Sequence, residues 1–299
     1  MNDHSGLARH GRYDLAPLPD AADWTWPNGA RLALYVAVGI EDYAFGAGRT
    51  EDILPGTPQP DLVNASWRDY GNRVGAFALF DLLAAQGIRP AVLLNTAVYD
   101  TAPAVIAAAR AAGAEFIAHG WSNSDCLAEM SPQDEAAYIA AVRARIECEE
   151  GAPPQGWSSP WLAHSPRTLD LLAEQGFAYL ADLRLDDRPI RLNTRSGNLI
   201  AMPYALELND SSTIIGRQHS ARDFAEMIID EFDELLEAST SRPLVMSVVL
   251  HSFISGQPFR LRALRRALDH IAARREGVWL ATPGAIAQAA VQQERVSTP

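Results

Sequence analysis

Glu41 and Asp42 stand side by side just after the apolar run at residues 31–38. Two carboxylates on one turn can be aimed into one cavity, where one holds a cation and the other deprotonates water. His119 sits in Ala118-His119-Gly120-Trp121-Ser122-Asn123, where an apolar run gives way to a glycine turn. An imidazole there can bind a metal through one nitrogen while an acceptor fixes the other. His251 ends LVMSVVL, residues 244–250, the most strand-like run in the chain. A histidine so placed is expected to be partly buried, which suits a general acid delivering a proton to a leaving amine. Each of these has a plainer structural reading: solvated loop acids, a loop histidine satisfying backbone, and a core histidine with a backbone partner.

The elements that must position these groups alternate short β-branched runs with longer helical-period segments, the pattern of parallel strands joined by crossover helices. Strands are expected at 31–38, 91–94, 115–118, 177–181, 199–202, 244–250 and 278–280. Helices are expected at about 67–86, 103–112, from the Ser131-Pro132 cap to about 149, from Ser165-Pro166 to 176, from a Ser220/Asp223 capping box to about 238, and at 259–275 and 283–292. In the first of these intervals Val74, Phe77, Phe80 and Leu83 fall on one face. The Gly- and Pro-containing stretch at 43–64 is too irregular for a helix and could cover a pocket. In β/α barrels the loops after the strands' carboxyl ends build the active site. Glu41, Asp42, Asn95, His119, Asp182, Tyr204 and His251 all arrive at that rim, so the chemistry is expected there.

The 299 residues, 48% apolar and without linker or repeat, predict one domain: a distorted β/α barrel of seven or eight parallel strands at 31–299 behind an N-terminal extension at 1–30. The net charge of −12, with no basic run interleaved with aromatics, speaks against nucleic acid. The polar start, with Asp3, His4, Arg9 and Arg12, and the lack of a long apolar stretch argue against a membrane and for a cytoplasmic address. Cys126 and Cys148 are read as reduced and structural, and the four arginines between 260 and 266 as a solvated helix face.

At these residues the chain resembles the polysaccharide deacetylase superfamily, carbohydrate esterase family four, and within it the allantoinase-like and cyclic-imidase-like branch. The resemblance runs from the first strand onward and implies a distorted barrel, hydrolysis of an amide nitrogen–carbon bond, and an oligomer. It implies a divalent metal, zinc above all, on one aspartate and two histidines. Glu41-Asp42 matches the acidic pair, which makes Glu41 the base and Asp42 a metal ligand. His119 matches the first metal histidine, but Asn123 stands where the second belongs, and an amide oxygen is a poor zinc ligand. Ser158-Ser159-Pro160-Trp161 matches the third motif without its arginine; the Trp161 N–H could still hold an oxyanion. Asp182 marks a fourth motif and Leu250-His251 a fifth, with His251 as acid. Glutamate at 41, with the stretches from Ala201 and His251, points to the imidase-like branch.

The expected activity is therefore hydrolysis of a non-peptide carbon–nitrogen bond, amide or cyclic imide, in a small polar substrate that Asn95, Trp121 and Tyr204 would help bind. The alternatives are an N-acetyl sugar or polysaccharide deacetylase, a barrel that only binds a sugar or heterocycle through its aromatics, and a glycosidase using Glu41 with Asp182. The glycosidase leaves both histidines unexplained.

Overall fold

The structure, a computed structural model, describes residues 10–15 and 24–296. Most of the expected N-terminal extension, Asp3, His4 and Arg9 included, lies outside the described residues. One mixed sheet contains β1 (Leu32–Ile40), β2 (Ala91–Leu94), β3 (Glu115–Ala118), β4 (Gly156–Trp157), β5 (Tyr179–Leu180), β6 (Ile190–Leu192), β7 (Leu199–Ala201), β8 (Leu244–His251) and β9 (Val278–Leu280). Their order is β6-β7-β5-β4-β3-β2-β1-β8, with β9 attached to β1. Only β6 runs antiparallel to its neighbour. The sheet curls into a half-barrel with helices outside, as the expected fold class requires.

All nine residues of β1 are buried, as a central parallel strand covered on both faces must be. Its partners share its length: β9 pairs with residues 32–34, β2 with 37–40, and β8 runs along 32–39. On β8's other edge irregular chain completes the wall. Val245 N–H donates to the Asp187 carbonyl at 2.8 Å, and Val249 N–H to that of Leu208 at 2.9 Å.

Three expectations change. The first helix begins at Leu62, capped by Asp61, and contains a π turn at Gly71–Gly75 before it continues as Ala76–Ala85. The extra residue in that turn rotates the helix face, so Val74 is exposed while Leu79, Phe80, Leu82 and Leu83 are buried. Ser165 does not sit at the N-cap of Thr168–Glu174, a place Arg167 takes. Its hydroxyl donates instead to buried Glu135. The two-residue β4 and the antiparallel β6 carried no readable period and were not expected. Cys126 is buried but Cys148 is exposed, and both are free. Of the basic helix face, Arg260 is half-buried, with a hydrogen bond to the Ile254 carbonyl. Among the described residues no helix is long and apolar enough to cross a membrane.

Candidate active site

Strand register sets the site. Ile40 pairs with Leu94, Leu94 with Ala118, and Ala118 with Trp157, so these four end one row across the sheet. The next residue on each strand, Glu41, Asn95, His119 and Ser158, steps onto the same rim. On β1's other side Gly39 pairs with His251. A Cβ at Gly39 would stand 2.9 Å from Glu41 Oε1 and 3.0 Å from His251 Cδ2, so glycine is what lets the two side chains meet there.

Glu41 is buried in the wall of a cavity of about 180 Å³, lined also by His119, Asn123, Trp161, Tyr204 and His251. Its Oε1 lies 3.3 Å from His251 Nε2 and 3.7 Å from His119 Nε2. Its Oε2 accepts from the Tyr43 hydroxyl at 2.7 Å and from Asn123 Nδ2 at 3.0 Å. Asn72 Nδ2 donates to the Glu41 carbonyl at 2.8 Å. Burial works against the charge of this carboxylate, but His251 and His119 outweigh it and hold Glu41 well below the usual carboxylate range.

Behind His251 stands Asp210, fully buried and separated from it by 41 residues of chain. Asp210 Oδ1 is 2.6 Å from His251 Nδ1, and the carboxylate also accepts the His251 and Ser255 backbone N–H groups. With carboxylates at both ring nitrogens the imidazole must donate from both, so it carries two protons. Burial opposes the imidazolium, yet Glu41 and Asp210 raise its pKa well above the ordinary value. His119 Nδ1 lies 2.8 Å from the Ser158 carbonyl, which can only accept, so Nδ1 carries a proton, and its Nε2 lies on the Glu41 side.

The other expected residues divide. Tyr204 is buried and lines the cavity. Trp161 lines it too, in a left-handed backbone conformation of φ 59°, and its indole donates to the Asn123 carbonyl at 2.6 Å. Left-handed backbone in a non-glycine residue costs about 1–2 kcal/mol, and Leu162 next to it, φ 54°, shares the strain. Asp42 does not share the cavity with Glu41: its carboxylate accepts from Thr101 Oγ1 at 2.8 Å. Asn95, expected on substrate, uses both ends internally, accepting from Asp42 N–H at 3.0 Å and donating to the His119 carbonyl. Asp182 accepts the Ser159 N–H at 2.8 Å and lies 3.3 Å from His164, so it braces the turn below Trp161. Trp121 is 44% exposed, outside the cavity.

Asp210, Tyr43 and Glu51 had no signal in the sequence. Asp210 reaches His251 only because residues 208 and 209 run beside β8 without a strand pattern.

The implied metal can be tested on its donors. Asp42 is turned to Thr101, both His251 nitrogens face carboxylates, and Asn123 points its NH₂ at Glu41 and at Tyr43. The Glu41 carboxylate accepts from Tyr43 and Asn123 and pairs with His251, so what remains is one imidazole nitrogen and the Asn123 Oδ1, buried without a partner. A zinc site needs three protein ligands, commonly anionic or imidazole, so these residues do not fit one.

The polysaccharide deacetylase profile matches residues 63–180. A candidate polysaccharide deacetylase of Schizosaccharomyces pombe is 27% identical, covering 88% of this chain and 91% of that protein. The structure of a probable polysaccharide deacetylase from Pseudomonas aeruginosa matches with TM-score 0.79 at 25% identity, covering 89% of this chain and 93% of that one. That of an allantoinase matches with TM-score 0.79 at 26% identity, covering 88% and 91%. Over most of its length the chain is thus similar to polysaccharide deacetylases, hydrolases that act on amide carbon–nitrogen bonds.

Proposed function

We propose that this chain hydrolyses a cyclic imide or related small amide without a metal ion, with Glu41 as base and His251 as acid. The observation that carries the reading is the Glu41–His251 contact at 3.3 Å, backed by buried Asp210, in a cavity of about 180 Å³. A cavity of that size admits a small heterocycle more readily than a polymer.

Water inserted between Glu41 and His251 would be oriented by the carboxylate, which takes its proton as the oxygen attacks the carbonyl carbon. A carboxylate held this low is a weak base in the resting site. Substrate that separates it from His251 raises its basicity, because the imidazolium is the main group holding it down. The Trp161 N–H is the candidate donor to the developing oxyanion, and the left-handed backbone there is a cost in keeping with such a role. His251, kept doubly protonated by Asp210, gives its proton to the leaving nitrogen.

The test is turnover of succinimide and of an N-acetylated amino sugar by wild type and Glu41→Gln. Removing the base should lower kcat for the imide by about 10²–10⁴ with the circular dichroism spectrum unchanged. Wild-type-like turnover in that variant ends the assignment. Acetate release without imide cleavage would move the substrate class to acylated sugars, the alternative that the named deacetylase relatives support.

A further inference from the structure

Glu51 is an acid the mechanism above does not use. It lies on the stretch 43–64, which was expected to cover a pocket, and its side chain lines the cavity together with Asn209, Ser211 and Ser212. Its Oε2 accepts from Ser211 Oγ at 2.8 Å. The backbone is held as firmly: buried Arg68 donates to the Glu51 carbonyl at 2.9 Å and to Asp52 at 2.7 Å. The same guanidinium stacks 5.0 Å from the centre of the Tyr43 ring, and Tyr43 holds Glu41. One arginine therefore ties the loop that brings in Glu51 to the residue that orients the base.

Carboxylates outnumber cations around the cavity, with the His251 imidazolium as the one positive group on its wall among the described residues. Glu41 and Glu51 line it and Asp210 stands just behind, while no arginine or lysine is among the lining residues. These groups feel one another. Burial raises the Glu51 carboxyl above its ordinary value, His251 pulls it back, and Glu41 and Asp210 push it further up. A further carboxylate brought in by a ligand would meet like charges, because the cation on the wall, His251, is already held between Glu41 and Asp210.

We propose that Glu51 is a specificity-determining residue, accepting an N–H of an uncharged cyclic imide or ureide and excluding molecules that carry a carboxylate. This rests on the imide-hydrolase reading and extends it to product release. In ring opening the water oxygen bonds to the carbonyl carbon and the carbon–nitrogen bond breaks. The nitrogen takes the proton of His251, which recovers the one Glu41 removed from water. The new carboxylic acid then ionises to solvent. The substrate is neutral and the product an anion, so the charges that admit the first expel the second.

Succinimide and its ring-opened product, succinamate, are the probes, used with wild type, Glu51→Gln and Ser211→Ala. Wild type should bind succinamate at least about tenfold more weakly than succinimide. Glu51→Gln should narrow that ratio by about tenfold, seen both as calorimetric affinity and as product inhibition, and Ser211→Ala should narrow it less by freeing the carboxylate. An unchanged ratio in Glu51→Gln, with the fold intact by circular dichroism, overturns the proposal. The calorimetry reads Glu51 whether or not the protein turns succinimide over. If the discrimination is seen without turnover, the imide-hydrolase reading fails and the role of Glu51 stands. If neither wild type nor variant binds succinimide, the substrate class is wrong and the proposal falls with it.

Discussion

Asp210 shows how much a single side chain decides here. Fully buried, it accepts the backbone N–H and ring N–H of His251 and the N–H and hydroxyl of Ser255, so every lone pair has a donor. Because Asp210 and Glu41 raise the pKa of His251, its acid form persists above the ordinary imidazole range. Activity that needs this acid falls only as pH rises through the raised value. Asp210→Asn removes one of the two carboxylates, so the alkaline limb of the kcat/KM profile should move to lower pH by about one unit or more. A limb that stays in place would separate Asp210 from the acid. The metal prediction belongs at the same scale, since it depends on where Asp42 and Asn123 point. Dialysis against a chelator should leave imide turnover unchanged while elemental analysis confirms that divalent ions are gone. Activity lost on chelation and restored by zinc would mean that Asp42 swings in from Thr101.

The long helix after the 43–64 stretch is the element that locks the site. Its π turn at Gly71–Gly75 lays two glycines against the turn that follows His251. A Cβ on Gly75 would sit 2.0 Å from the Ser252 carbonyl oxygen, and one on Gly71 would sit 2.8 Å from the Phe253 nitrogen. Between them Asn72 holds the Glu41 carbonyl, so one helical turn grips the strand ends that carry Glu41 and His251. Gly75→Ala meets backbone, which cannot rotate away, and should cost about 1–3 kcal/mol in a denaturant titration. Catalysis should fall with it, because the displaced turn carries His251. Full activity with a lowered denaturation midpoint would show that the grip serves stability alone.

Across the whole molecule, stability and chemistry lie at opposite ends of the strands. At the entry end Trp26 is buried, its indole donating to the Leu244 carbonyl at 2.8 Å and packing edge-on to Trp24 at 4.7 Å. Trp26→Ala empties that space and should cost about 3–5 kcal/mol. At temperatures well below the transition kcat should hold, since Glu41 and His251 stand at the exit ends of β1 and β8. A fall in kcat matching the fall in stability would mean that the barrel transmits the disturbance along its length. The net charge of −12 acts at this scale too, repelling anions from the molecule as a whole.

By itself the sequence determined the parallel strands, their order along the chain and the rim on which Glu41, His119 and His251 stand. Continuous apolar runs such as 244–250 and caps such as Ser220 with Asp223 are local signals, written within a few residues. It did not separate Glu41 from Asp42, because which of two adjacent carboxylates enters a cavity depends on partners as remote as Thr101 and Asn123. It was silent on Asp210, whose neighbours in the chain have no strand period, and on β4 and β6, too short to show one. Only the tertiary structure decided that Asn95 and Asp182 brace backbone, that Trp121 faces out, and that Glu51 turns in. Those outcomes follow from contacts between segments distant in the chain, where hydrogen-bond geometry and burial choose among side chains that look alike in sequence.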